Sequence, residues 1–115
     1  MSDTERKQAL RRLLRMEAPV DVLGADIRSF SWDSEELVVL TEEDLLSVLN
    51  RFVDHAVDAD QLEGWANLVE SREDIRVSTP LAKTVLHDLA NPDIQGELTL
   101  ARVATLISRL TKVAG

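Results

Sequence analysis

The chain has 115 residues, a formal net charge of −8, 44% hydrophobic and 30% charged residues. That suits one helical domain over residues 1–115, apolar enough for a core and too apolar for a disordered polymer. Cys is absent, which excludes disulfides, thiolate metal sites and Cys nucleophiles and fits a reducing cytoplasm. Phe30, Trp32, Phe52 and Trp65 are the only aromatic residues, few platforms for stacking single-stranded nucleic acid.

The N-terminal segment, "DTERKQALRRLLRMEA", reads as a helix that Asp3 can cap, with Leu10, Leu13 and Leu14 as its apolar stripe. Arg6, Lys7, Arg11, Arg12 and Arg15 take the other faces, either as a phosphate- or partner-docking surface or paired with carboxylates of the body. This start is charged and lacks an apolar h-region, so no secretory signal is expected.

From Pro19 to Glu36, Pro, Gly, Ser and Asp interrupt any long period. A short helical turn or loop is expected there, anchored by Val20, Leu23, Ile27, Phe30 and Trp32. "ELVVLT" can form a short strand, with "DIRVS" as a partner for a minor two-stranded ribbon. Its Leu37–Leu40 run is the longest aliphatic stretch, far short of the roughly 20 apolar residues of a membrane span.

Thr41 opens a clear helix, with acids in its first turn and Asp44 at the capping-box position. Leu45, Val48, Leu49, Phe52, Val53 and Ala56 follow at helical spacing. A further helix starts near Asp58 or Asp60 and runs to about Ser71, burying Leu62, Trp65, Ala66 and Val69, with Leu68 flanking. Gly64 inside it costs about 1 kcal/mol relative to Ala and leaves room for a neighbouring helix. Thr79-Pro80 starts the next helix, which carries Leu81, Ala82, Val85, Leu86 and Leu89 and stops at Asn91-Pro92. The last begins at Thr99, with Leu100, Val103, Ala104, Ile107 and Leu110 as its stripe. One-sided stripes must dock on one another, so the expected fold is an all-α compact bundle of about five helices, with or without the ribbon.

The charge is unevenly spread. Residues 1–15 hold five basic and two acidic groups, residues 16–74 three and sixteen, and residues 75–115 five and three. The middle segment repels phosphates and favours a basic partner. Neither nucleic acid nor membrane is an expected partner.

No pattern with a catalytic mechanism is present. His55 and His87 are the only histidines. His55 and Asp58, at i and i+3, could share a helix face and contribute to a metal site, but no further ligands appear at recognised spacing. "DADQLEG" departs from a calcium loop, because Leu62 and Glu63 stand where the fifth and sixth loop positions need an oxygen ligand and Gly. Glycine-rich phosphate loops and the G-x-S-x-G elbow are missing. No catalytic residue, cofactor or metal is assigned.

Two stretches resemble a set of small bacterial helical proteins, some of which look like immunity partners of toxins. The first pattern is W-A-x-x-[IV]-E-x-R-x-D-[IV], here Trp65, Ala66, Val69, Glu70, Arg72, Asp74 and Ile75. The second is L-A-N-P-x-[IL]-x-G-x-L-T, here Leu89, Ala90, Asn91, Pro92, Ile94, Gly96, Leu98 and Thr99. The likeness covers Trp65 to Thr99, roughly a third of the chain, and implies a helical fold and a protein partner but carries over no catalytic residue.

The reading that follows is a small, acidic, non-enzymatic protein-binding module, with immunity against a basic toxin as its sharpest form. The expected contact residues are Asp33, Glu35, Glu36, Asp54, Asp58, Asp60, Glu63, Glu70, Arg72, Glu73 and Asp74. Two alternatives stand beside it: a small helical enzyme or metal protein using His55 and nearby carboxylates, and a homo-oligomeric scaffold.

Overall fold

The computed structural model describes residues 3–28, 30, 36–95 and 97–114. Among them lie seven helices and two strands: α1 (Asp3–Arg15), α2 (Val20–Arg28), β1 (Val38–Leu40), α3 (Glu42–Val53), α4 (Ala59–Glu70), β2 (Ile75–Val77), α5 (Pro80–Ala90), α6 (Pro92–Gln95) and α7 (Leu100–Ala114). None of these helices is long and apolar enough to cross a membrane. The fold is mostly helical but not all-α. The two strands pair in parallel, with Val38 against Ile75, Val39 against Arg76 and Leu40 against Val77. A parallel pair needs a crossover, and α3 and α4 supply it.

The capping chemistry works as expected at three helix starts. Thr41 and Asp44 exchange side-chain-to-backbone bonds of 3.0 and 3.1 Å, a complete capping box for α3. Asp58 accepts from the Gln61 N–H at 2.8 Å and opens α4. Thr79 accepts from the Ala82 N–H at 3.1 Å, with Pro80 in the first turn of α5. Each bond satisfies an otherwise orphaned donor. Helix α1 begins at Asp3 itself, which puts Asp3 in the first turn; the residue before it is outside the described residues.

Two elements depart from the sequence expectation. The Pro19–Glu36 region contains a nine-residue helix, α2, longer than the short helical turn or loop expected there. The Pro19 carbonyl accepts from Val22 and Leu23, and the Val20 N–H finds the Gln61 side-chain oxygen at 3.0 Å. Leu23 and Ile27, one turn apart, are buried. Gly24 does not break the helix, since it packs against Leu68 on α4. The Asn91-Pro92 stop holds for α5, with Asn91 at its C-cap, yet Pro92 immediately starts the four-residue α6. Proline suits a first helical turn, so one residue ends one helix and begins another. Trp32 lies outside the described residues.

A single buried cluster joins the elements. It includes Leu10 and Leu13 of α1, Leu45, Val48 and Leu49 of α3, Leu62, Trp65 and Ala66 of α4, Val85, Leu86 and Leu89 of α5, and Val103, Leu106 and Leu110 of α7. Two stripes depart from expectation: in α7 Leu106 is buried, whereas Leu100 is 48% exposed and Ala104 is also exposed, and α3 ends at Val53, which is exposed, as is Ala56 beyond it. Trp65 is fully buried, and its indole N–H donates to the Leu13 carbonyl at 2.6 Å, tying α4 to α1. Gly64 faces Val20, whose Cγ1 would lie 3.2 Å from an added Cβ. That confirms the close helix approach expected there, between α4 and α2. The Cα radius of gyration is 13.6 Å, near the roughly 13 Å of a compact 100-residue domain.

Helices α1 and α3 end alike. Met16 and His55 have positive φ, 51° and 64°. After α1, Glu17 N–H donates to Arg12 and Met16 N–H to Leu13; after α3, Ala56 N–H donates to Arg51 and His55 N–H to Phe52. This is the Schellman pattern, with a left-handed residue just past the cap. Glycine takes that conformation without the roughly 1–2 kcal/mol cost borne by other residues. His55 is exposed, so His55→Gly should raise stability by about 0.5–1 kcal/mol, after the entropic cost of glycine in the unfolded chain. Urea unfolding checks this; a lower midpoint would contradict it.

Candidate functional site

The expected contact residues divide into three groups. Asp33 and Glu35 lie outside the described residues. Arg72 and Asp74 turn inward. Glu36, Asp54, Asp58, Asp60, Glu70 and Glu73 are exposed, and Glu63 is half-buried.

The inward pair corrects the placing of Arg72 and Asp74 among the contact residues. Asp74 is fully buried and Arg72 only 8% exposed. The Arg72 Nε and Nη2 donate to the two oxygens of Asp74 at 3.1 and 2.7 Å. Arg6 reaches the same carboxylate from α1, with its Nε donating at 3.0 Å. Its guanidinium also lies over the Phe30 ring, 5.9 Å from the centroid. Arg72 further donates to the Phe30 carbonyl at 3.4 Å. Charge-assisted, forked bonds of this kind are strong and directional. The ion cluster therefore joins α1, the segment after α2 and the α4–β2 connection, and its two members cannot form an exposed contact surface.

Three of the five cations of α1 pair with carboxylates. Arg6 meets Asp74, Arg12 meets Asp26 at 2.9 Å, and Arg15 stands 3.7 Å from Glu17. Of the two readings of those cations, pairing with local carboxylates describes these three.

His55 does not share a helix face with Asp58. Helix α3 ends at Val53, so His55 sits in the turn that closes it, while Asp58 caps α4 with its side chain. The geometric premise of the His55 metal alternative is thereby removed. Among the described residues, no three His, Asp or Glu side chains gather as a metal site. His87 pairs instead with Glu70, Nδ1 to Oε2 at 3.1 Å, across α4 and α5. This engages one of the expected contact residues in an exposed local pair.

The remaining acids reveal an arrangement that linear sequence concealed. Asp60 and Glu63 at the start of α4 face Asp93 and Glu97 from the α6 region across a groove of about 410 Å³. Ala59, Pro92 and Leu98 complete its lining. None of the four carboxylates has a salt bridge among the described residues. Two strongly exposed apolar side chains occupy the same stretch of chain as Asp93 and Glu97: Ile94 at 78% and Leu100 at 48%. Asp93 and Glu97 escape a charge scan because residues 75–115 are basic on balance. The available signal was the Asn91-Pro92 break, which turns the chain back toward α4. Such a site can accept cationic side chains and seat an apolar contact beside them.

Comparison of the chain with protein-family models, with curated proteins and with solved structures finds no match.

The ion cluster yields a direct test. Asp74→Ala leaves two closely packed guanidinium groups without their shared carboxylate, and breaking a buried pair in this way typically costs about 3–5 kcal/mol. Glu73→Ala, one residue away and exposed, should stay within about 0.5 kcal/mol of the parent. Chemical denaturation of the two variants separates an internal clamp from a surface fringe; equal effects would reject the assignment.

Proposed function

We propose that this protein is a binding module for a basic protein partner, with its acidic groove as the principal contact. The observation that carries the proposal is the groove itself: Asp60 and Glu63 of α4 line it together with Asp93 and Glu97, and none of the four has a salt bridge among the described residues. Asp54 and Asp58 stand exposed in the connection leading into α4. Ile94 and Leu100 supply exposed apolar surface nearby in sequence. A charged rim beside an apolar contact is a common interface composition, and acidic patches accelerate encounter with basic partners.

Toxin immunity is the sharpest form of the proposal. In it, the groove receives Lys or Arg side chains of a basic toxin and occludes the toxin's working surface by bound mass, without catalysis. The charge layout and the resemblance over Trp65 to Thr99 support this form. A cytoplasmic location accords with the absence of cysteine.

The test begins with capture of a partner from the native cell and proceeds to rates. Association should slow by at least about tenfold between low and physiological salt, with a smaller change in dissociation. Replacing Asp60 and Asp93 by Asn and Glu63 and Glu97 by Gln should reproduce most of that loss at low salt while leaving the fold intact. Salt-independent association, or full-speed association by the four-residue variant, would reject the groove as the contact. Inhibition of a captured toxin's activity would support the immunity form; binding without inhibition would leave a binding module and reject immunity.

A further inference from the structure

Among the described residues, no strand pairs with the outer edge of β2. In the parallel ladder, the Asp74 carbonyl accepts from Val38 and the Ser78 N–H donates to Leu40. With the register Val38–Ile75, Val39–Arg76 and Leu40–Val77, the N–H and C=O groups of Ile75 and Val77 point away from β1. Helix α1 packs beside β1, whereas β2 packs mainly on β1 and on α5, which follows it. The outer side of β2 borders a groove of about 650 Å³ lined by Glu36, Ile75, Arg76, Ser78, Thr79 and Lys83, among others. The Ser78 hydroxyl in that lining is buried and has no hydrogen-bond partner among the described residues. Arg76 and Lys83 are exposed and have no salt bridge among the described residues. In a chain of net charge −8, a groove with two such cations and one carboxylate, Glu36, is locally opposite in sign to its surroundings.

We propose that the outer edge of β2 is a second docking surface, which takes an extended acidic segment of a partner protein as an added strand. Main-chain bonds to Ile75 and Val77 give the affinity, and carboxylates opposite Arg76 and beside Lys83 give the selectivity. This is the strand-addition mode of peptide recognition. Opposite charges facing each other across neighbouring strands are favourable. The N-terminal end of α5, next to Lys83, adds positive potential. At physiological salt the acidic remainder of the molecule is screened beyond about 8 Å, so the nearby cations dominate the local field. A second copy of this chain fits less well. Two β2 edges paired antiparallel about a two-fold axis would set Arg76 directly against Arg76, a like-charge contact. Edge cations can also act only to keep strands apart, and the experiment must separate that role from docking.

The probe is a short fluorescent peptide alternating Glu with Val, titrated with the full chain and followed by anisotropy. Saturable binding is expected, with no saturation for a Lys–Val peptide of equal length. Methylating alternate backbone nitrogens of the Glu–Val peptide keeps its charge and removes its strand donors; binding should then fall at least about tenfold. Arg76→Glu combined with Lys83→Glu should weaken the parent peptide to a similar degree, with an unchanged circular dichroism spectrum and melting temperature. The four neutral substitutions in the acidic groove should leave peptide binding unaltered, which keeps this proposal separate from the preceding one. Equal binding of the methylated peptide, or undiminished binding by the charge-reversed variant, would overturn strand addition. No saturable binding of the Glu–Val peptide would reduce Arg76 and Lys83 to edge guards and overturn the proposal. A free-chain dimer that the peptide cannot dissociate would assign the edge to a second copy and do the same.

Discussion

The buried Asp74 carboxylate, shared by Arg72 and Arg6, is the constraint on which the arrangement of α1, β1 and β2 depends. Desolvating a carboxylate is costly, and it is tolerated only when its oxygens are well satisfied. Here the side chain takes the Arg72 fork and the Arg6 guanidinium. The backbone of the same residue accepts from both Leu37 and Val38 as β1 begins. One residue thus fixes the approach of the N-terminal helix and the register of the parallel ladder. A two-stranded sheet of three residues per strand has little stability of its own, so this connection is what makes such a small ribbon persist between helices.

The clamp also reshapes the outer electrostatics. It draws Arg6 and Arg72 inward, and Arg12 is answered at the surface by Asp26. The cationic N-terminal helix therefore contributes less to the outer field than its sequence suggests. Among the described residues, Asp60, Glu63, Asp93 and Glu97 have no such answer. What results is a division of surface by sign: an acidic groove lined from α4 and the α6 region, and a groove beside β2 that carries Arg76 and Lys83. The two features lie on separate parts of the chain and have different geometries, one a notch suited to side chains and the other an edge suited to backbone.

Much of the helical framework was legible because local chemistry and burial agree. Thr41 with Asp44, Asp58, and Thr79 with Pro80 name their helix starts, and Leu62, Trp65 and Val69 name the buried side of α4. Helix α2 was hidden because Gly24 and Pro19 read as breakers, while the features that offset them, Leu68 and the Gln61 side chain, lie roughly 40 residues further along. The site was less legible still. Arg72 and Asp74 lie close enough in sequence to pair, but their burial depends on distant partners, Arg6 of α1 and the Phe30 carbonyl among them. In the same way Asp60 looks like an ordinary first-turn acid and Glu63 like a solvated helix charge. They become half of a groove only after the Asn91-Pro92 break returns Asp93 and Glu97 to them. Tertiary proximity supplies the missing half in each case, and no local period reports it.

That break has a further structural logic. A helix continued through Pro92 would lose a backbone bond and bring the proline ring against a carbonyl of the preceding turn. The chain leaves α5 at Asn91, with φ −131° and ψ 57°, and uses proline's fixed φ to begin α6 in a new direction. Four residues of helix are too few to bury a stripe, and Ile94 accordingly remains 78% exposed. A long helix in its place would have carried its apolar residues into the core and its acids into solvent. The short turn instead holds apolar and acidic side chains together at the surface, close to α4. The feature that looks in sequence like a stop signal is therefore what builds the candidate contact.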